Sequence, residues 1–202
     1  IYELEIMRWI NMKEEIIIAS GNRGKIEEVQ EILNDYNIIS MKHYDLQIEV
    51  EEDKETFEEN AVKKAETIAK ILEGRKCIAD DSGIEIEYLN GFPGVETKRW
   101  LSGSDRERNL QILEKLEGVP KEKRNIKFVS AIAISDGKNT VSAVAEIDGK
   151  VSEQVRGENG FGFDEIFELE DGRTLAELSQ EEKNKISARR KALEILKERL
   201  VN

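Results

Sequence analysis

One cysteine, one histidine and two prolines in 202 residues remove several chemistries at once. The lone thiol, Cys77, has no partner in the chain for a disulfide and fits a reducing compartment, so a cytoplasmic protein is expected. With His43 as the only imidazole, a histidine-based zinc site would have one ligand, and a Ser-His-Asp triad is nearly excluded. Long apolar runs are missing as well: none approaches the ~20 residues of a membrane span. The segment Ile1–Asn11 lacks the cationic start and long apolar stretch of a signal peptide. It is read as an extension outside the fold, with residues 12–202 forming a single domain, since a chain of this length buries one good core. Positive charge is short too, with 31 basic against 43 acidic residues and a net charge of −12. Nucleic-acid binders present basic surfaces, so such a partner is disfavoured, whereas a small anion gripped by a few focused cations is compatible.

What is present starts with Ile16-Ile17-Ile18-Ala19, an apolar run that opens into Ser20-Gly21-Asn22-Arg23-Gly24-Lys25 and then a helical pattern of Ile26, Val29, Ile32 and Leu33. A buried strand, a glycine loop and a helix start with a lysine make an anion site, because loop N–H groups, the helix N-terminus and an ammonium converge. The spacing is not that of a Walker A loop, since Gly21 and Gly24 are too close and Ile26 follows the lysine. An ordinary strand-to-helix turn with a solvated Lys25 is the alternative.

Further along, Thr56 with Glu59 forms a capping box for a helix whose inward face is Phe57, Ala61, Ala65, Ile68 and Leu72. A short strand is expected from Cys77 to Ala79, and a second, with one wet face, over Ile84, Ile86 and Tyr88. Ser104 and Glu107 cap a helix presenting Leu110, Leu113 and Leu116. Three strand-like runs follow at 126–135, 140–147 and 150–155, with Asp136-Gly137 and Asp148-Gly149 as hairpin turns. A last helix runs from Ser179 through Ile186, Leu193 and Leu196. Helices alternating with strands, then a meander, predict a mixed α/β sheet with flanking helices rather than a pure Rossmann order.

Three clusters carry the remaining chemistry. Asp80-Asp81-Ser82-Gly83 falls where the short buried strand should end, and adjacent carboxylates there need a cation or donors. They suit Mg²⁺, which takes oxygen ligands, and one could accept a proton from an attacking water. A plain Asp-capped turn is the alternative. In Gly160-Phe161-Gly162-Phe163-Asp164, glycines flank aromatics, so backbone can approach a ligand and a ring can stack on a base, unless the rings simply fill the core. In the run from Glu181 to Arg190, a helix would place Lys183, Ser187 and Arg190 on one face with Arg189 off to the side; a solvated charged face is the bland reading.

Seven segments in order resemble the inosine triphosphate pyrophosphatase family: Ser20-Gly21-Asn22-x-x-Lys25, Thr56-Phe57-x-Glu59-Asn60-Ala61, Asp80-Asp81-Ser82-Gly83, Leu89-Asn90-Gly91-x-Pro93-Gly94-Val95, Gly160 to Phe167, Thr174-x-Ala176-Glu177-Leu178 and Glu181 to Arg189. They span about residues 14–200. The resemblance implies an elongated mixed α/β fold with two lobes around a nucleotide cleft, a homodimer, and a Mg²⁺-dependent hydrolysis of non-standard purine nucleoside triphosphates (ITP, dITP, XTP) to monophosphate and pyrophosphate. It implies that Ser20, Gly21, Asn22, Arg23, Gly24 and Lys25 hold the triphosphate. By the same token Asp81 is the general base or metal ligand, with Asp80 beside it and Glu51 at a metal-binding position. Ser82, Phe161, Gly162, Phe163, Asp164, Lys183, Ala188 and Arg189 frame the nucleotide, Phe163 stacking on the base. Ala188 stands where the family carries histidine and Phe163 where it carries tyrosine. A pyrophosphatase for other modified nucleotides and a non-catalytic nucleotide sensor are the competing readings.

Overall fold

The computed structural model describes residues 13–21, 23–44, 48–97 and 99–201; the expected extension at 1–11 and Asn22 of the loop lie outside them. The described residues build a seven-stranded mixed sheet in the order β2-β1-β3-β5-β6-β7, with β4 on β3. Strands are β1 (Glu15–Ile18), β2 (Asn37–Ser40), β3 (Cys77–Ile86), β4 (Phe92–Pro93), β5 (Asn125–Ser135), β6 (Thr140–Val151) and β7 (Phe167–Glu168). Helices are α1 (Arg23–Ile32), α2 (Phe57–Ile71), α3 (Asp105–Lys115), α4 (Gln180–Ile186) and α5 (Ala188–Val201). β1 runs parallel to β2 and β3, while β3, β5, β6 and β7 pair antiparallel in turn. The mixed α/β expectation therefore holds.

Each face of the sheet has its own helices. On one, Ile16, Ile18, Ile78, Ile132 and Ile134 pack on Val29 and Leu33 of the α1 region and on Ala192, Leu193 and Leu196 of α5. On the other, Ala79, Val129, Ala131 and Ala133 pack on Phe57, Ala61 and Ala65 of α2. The small residues let α2 approach closely, and Thr56 starts that helix by accepting from the Glu59 N–H, as expected. A further core around Ile84, Ile112, Leu116 and Phe167 lies toward the other end of the sheet.

Four local expectations are corrected. Asp80-Asp81-Ser82-Gly83 is not the end of a short strand. β3 runs unbroken from Cys77 to Ile86, ten residues paired along their length with β5, and Tyr88 beyond it is half-exposed. Asp148-Gly149 is no hairpin turn either, because β6 continues through it to Val151, and only Asp136-Gly137 reverses the chain. Phe167 lies against Gly149, where an added Cβ would sit 2.5 Å from its ring; the glycine is there for close packing rather than turning. On α3, Leu116 is buried and Leu113 packs on the core as expected, but Leu110 is exposed, and Asn109 and Ile112 are the buried residues of that helix. Finally, the last helix is two, broken at Ser187, whose ψ of 129° is not helical.

Cys77 is free and fully buried beneath α2, and burial pushes its thiol up to about 12. Since the thiolate is the reactive form, native protein should resist iodoacetamide at neutral pH and become labelled in denaturant. Rapid native labelling at Cys77 would contradict this packing.

Candidate functional site

A cleft of about 340 Å³ is bordered by Ser20, Lys25, Ser82, Arg108, Phe161, Gly162, Phe163, Asp164, Lys183, Ala188 and Arg189. Ten of these, all but Arg108, were expected from the sequence to hold the ligand, and the fold brings them together. Lys25 reaches it because β1 ends at Ile18 and α1 starts at Arg23, so the lysine stands in the first turn. Gly21, Arg23 and Gly24 do not border the cleft. Arg23 points into solvent and pairs with Glu27, while Gly21 serves by having no side chain: a Cβ there would lie 2.5 Å from the Lys42 Nζ. A second cation thus sits over the loop, and nothing in Ser40-Met41-Lys42-His43 marked it beforehand.

At the mouth lies a buried charge network. Lys25 Nζ donates to Asp80 Oδ2 at 2.7 Å, and Arg189 Nη2 stands 3.6 Å from the same oxygen. Arg189 Nη1 donates to Glu28 Oε2 at 3.2 Å, and Ser187 Oγ donates to Glu28 Oε1 at 3.1 Å. All four charged side chains are less than a fifth exposed. The break at Ser187 explains the arrangement: ending α4 there turns Arg189 inward, whereas a continuous helix would have left it off to one side. Glu28 was missed by sequence reasoning, because an acidic residue on a helix reads as a solvated one.

The other end of the cleft is set by the Gly160–Asp164 loop. Asp164 is buried, accepts from the Phe161 N–H at 2.8 Å and is paired with Lys183. Lys183 Nζ also lies 4.4 Å from the Phe161 ring centre, a cation–π contact. Gly160 has φ +80°, and a Cβ would strike the Asp164 carboxylate at 2.0 Å. Phe161 is the exposed ring, at 54%, whereas Phe163 is packed in the core where it borders the cleft. Ala188 is buried and borders the cleft with its methyl group.

The paired aspartates point to opposite faces of the sheet. Because side chains alternate along a strand, Asp80 and Ser82 face α1 and α5, and Asp81 faces α2. There Asp81, 2% exposed, accepts from Asn60 Nδ2 at 3.0 Å and from the Ser82 N–H at 3.1 Å. The alternation thus sets the two adjacent carboxylates on opposite faces of the sheet. Gly83 permits it, since a Cβ would meet Thr97 Oγ1 at 2.3 Å and Phe57 at 2.8 Å.

Glu51 lies in a separate acidic groove with Glu49, Glu52, Asp53, Glu96 and Arg99. Glu52 is paired with Lys64 and with Arg99 at 3.1 Å, and Lys64 Nζ also donates to the Asp80 carbonyl at 3.2 Å. The Arg99 guanidinium is held above its ordinary range, first by its bond to Glu96, with the Glu52 and Asp81 carboxylates adding to it. Among the described residues no three acidic, imidazole or thiol side chains converge into a ready metal cage. A Mg²⁺ that keeps waters and takes substrate oxygens needs only one or two carboxylates, and oxygen donors are what Asp81 and this groove supply.

The α4 start that delivers Lys183 depends on Ser179 and Glu182. Glu182 is held near about 2, chiefly by the Ser179 N–H and then by Arg173. A depressed carboxylate stabilises the fold above its unfolded pKa of ~4.3, and that contribution is lost as pH falls through the folded value. The thermal midpoint of Glu182→Gln should therefore lie below that of wild type at about pH 6 and converge with it toward about pH 2. A gap that stays constant with pH would mean the carboxylate charge contributes nothing.

Fold and site together define a mixed α/β protein whose sheet carries a cleft with buried cations at one end and an aromatic loop at the other. The chain belongs to the Ham1 family, whose model matches residues 16–199. It is 44% identical over 189 residues to the dITP/XTP pyrophosphatase of Bacillus licheniformis, covering 91% of this chain and 96% of the relative. It is 40% identical over 198 residues to that of Clostridium perfringens, covering 93% and 97%. Among solved structures, the Staphylococcus aureus Ham1 protein matches with a TM-score of 0.86 at 38% identity, covering 93% of this chain and 98% of that one.

Proposed function

We propose that the protein is a hydrolase that converts non-standard purine nucleoside triphosphates (dITP, ITP, XTP) to the monophosphate and pyrophosphate. The observation that carries this reading is the cleft itself: Lys25 and Arg189 at one end, and Phe161, Asp164 and Lys183 at the other, match a phosphate chain and a purine. The names of the relatives support it. On this reading Ser20, Lys25 and Arg189 bind phosphate oxygens. Phe161 and Phe163 lie along the base. Lys183 is a donor for the purine 6-oxo group; adenine, which offers an amino group there, would give it no acceptor.

Asp81 acts as general base, taking the proton of the water that attacks the α-phosphorus. It is buried and oriented by Asn60, its charge acts on Arg99, and Lys64 donates to the carbonyl of the neighbouring Asp80. Mg²⁺, held by Asp81 and Glu51, would offset the charge on the leaving pyrophosphate. Asp80, held by Lys25 and Arg189, is assigned to ordering those cations rather than to the metal. The reading extends to a cytoplasmic homodimer without nucleic-acid or membrane partners. The net charge of −12 and the free Cys77 are in keeping with it, and no described helix is long and apolar enough to cross a membrane.

The test is hydrolysis of dITP, XTP, dATP and dGTP with Mg²⁺, assayed for phosphate with and without inorganic pyrophosphatase. Phosphate from dITP and XTP only when the coupling enzyme is present is the expected result. Orthophosphate without it, or equal turnover of dATP, would overturn respectively the reaction and the base preference.

A further inference from the structure

The Gly160–Asp164 loop is gripped from outside as well as by its own Asp164. Both polar groups flanking one glycine, Gly162, are held by α3: the Gly162 N–H donates to Asp105 Oδ2 at 2.7 Å, and the Gly162 carbonyl accepts from Asn109 Nδ2 at 3.0 Å. Gly162 has φ +65°, a conformation that side chains resist, so this backbone is built for the grip rather than for packing. The other oxygen of Asp105 accepts from Arg108 Nη2 at 2.7 Å, and Arg108 borders the cleft. One carboxylate therefore ties a cleft cation to the glycine between the two phenylalanines.

Its placement is local physics. Ser104 and Glu107 form a reciprocal capping box, which fixes where α3 begins. Asp105 is the first residue of that helix, where a negative charge is favoured by the unpaired N–H groups. Burial would raise its pKa, but the Arg108 and Gly162 donors outweigh it and hold the carboxyl below its ordinary range, so it is charged at neutral pH. Asn109, fully buried, also donates to Glu165 Oε2 at 3.1 Å, and it leaves its own Oδ1 without a partner among the described residues. An orphaned buried acceptor is costly, a cost that makes sense for a residue placed for what its Nδ2 does.

We infer that Asp105 is a positioning residue for the ligand: it seats the Gly162 peptide and Arg108 together, and so sets where Phe161 meets the bound base. The inference rests on the reading of the cleft as a nucleotide site. Asp105→Ala should raise KM for dITP roughly tenfold, the loss of one hydrogen bond to a charged group, with kcat changed by less than about twofold. The Gly162 amide should exchange with deuterium at least about tenfold faster. Asp105→Asn, whose Oδ1 still accepts the Gly162 N–H, should lie between Asp105→Ala and wild type in both. Glu114→Ala, exposed on the same helix, should move neither. Unchanged Gly162 exchange in Asp105→Ala would overturn the clamp. So would a fall in kcat and thermal midpoint without a rise in KM, which marks a merely structural role. If wild type turned over no nucleotide, the functional reading would fail, and the exchange measurement would still decide the clamp.

Discussion

Asp81→Asn is expected to lower kcat for dITP by about 10²–10⁴, the range that a positioned general base contributes, while the protein stays folded. The second half of that expectation comes from the surroundings. Asp81 is 2% exposed, and its Oδ2 accepts from Asn60 Nδ2. An asparagine presents an oxygen to the same donor, so that bond survives. Removing a buried charge also lifts a desolvation cost. The bond from the Ser82 N–H to Oδ1 is lost in the variant and offsets that relief, so stability should hold while turnover falls, the opposite of what loss of a structural residue gives. Single-turnover kinetics beside a thermal midpoint would separate the two. A variant that turns over within about tenfold of wild type, below the range of a general base, would remove Asp81 from the chemistry. The matching substitution Asp80→Asn should behave differently, because Asp80 bonds Lys25 on the other face of the sheet. It should weaken substrate binding and lower stability together.

That contrast also shows what could be read from the sequence and what could not. The strand, loop and helix around Lys25 were legible because three local signals agreed there: an apolar run, glycines, then helical periodicity. Thr56, Ser104 and Ser179 were legible as helix starts for the same reason, each with a glutamate three residues on. Asp80-Asp81-Ser82-Gly83 was misread as a strand end since two carboxylates and a glycine are unfavourable in a buried strand. The fold accommodates them through long-range partners, Lys25, Asn60 and Arg189, which no local window contains. Gly149 failed similarly, its role being set by Phe167 from a later strand. The break at Ser187 had no proline or glycine to announce it; the junction is instead held by the Ser187 bond to Glu28, 159 residues away. Glu28, Lys42 and Asp105 escaped notice because charged residues on helices and turns are usually solvated, and only the tertiary structure distinguishes those that are not.

Arg189→Ala carries the largest expected cost in stability. Lys25, Arg189, Asp80 and Glu28 balance as two cations and two anions, with Arg189 and Glu28 each 10% exposed at the side chain. Deleting the arginine leaves one cation facing two carboxylates and strips Glu28 of its ionic partner, with Ser187 Oγ still donating to it. Breaking a buried pair from one side typically costs about 3–5 kcal/mol, since the remaining charge stays desolvated. In a domain of this size each kcal/mol shifts the thermal midpoint by roughly 2–4 °C. Glu28→Gln alone should be costly for the converse reason. The two together should cost less than their sum, because the double variant leaves Lys25 and Asp80 as a matched pair at 2.7 Å. A double-mutant cycle in urea would show this as a coupling on the order of 0.5–3 kcal/mol. Additive losses would mean that Arg189 and Glu28 merely lie near each other. If the coupling is present and dITP binding also weakens in Glu28→Gln, the same network both holds α1 to the start of α5 and aims Arg189 at the phosphates.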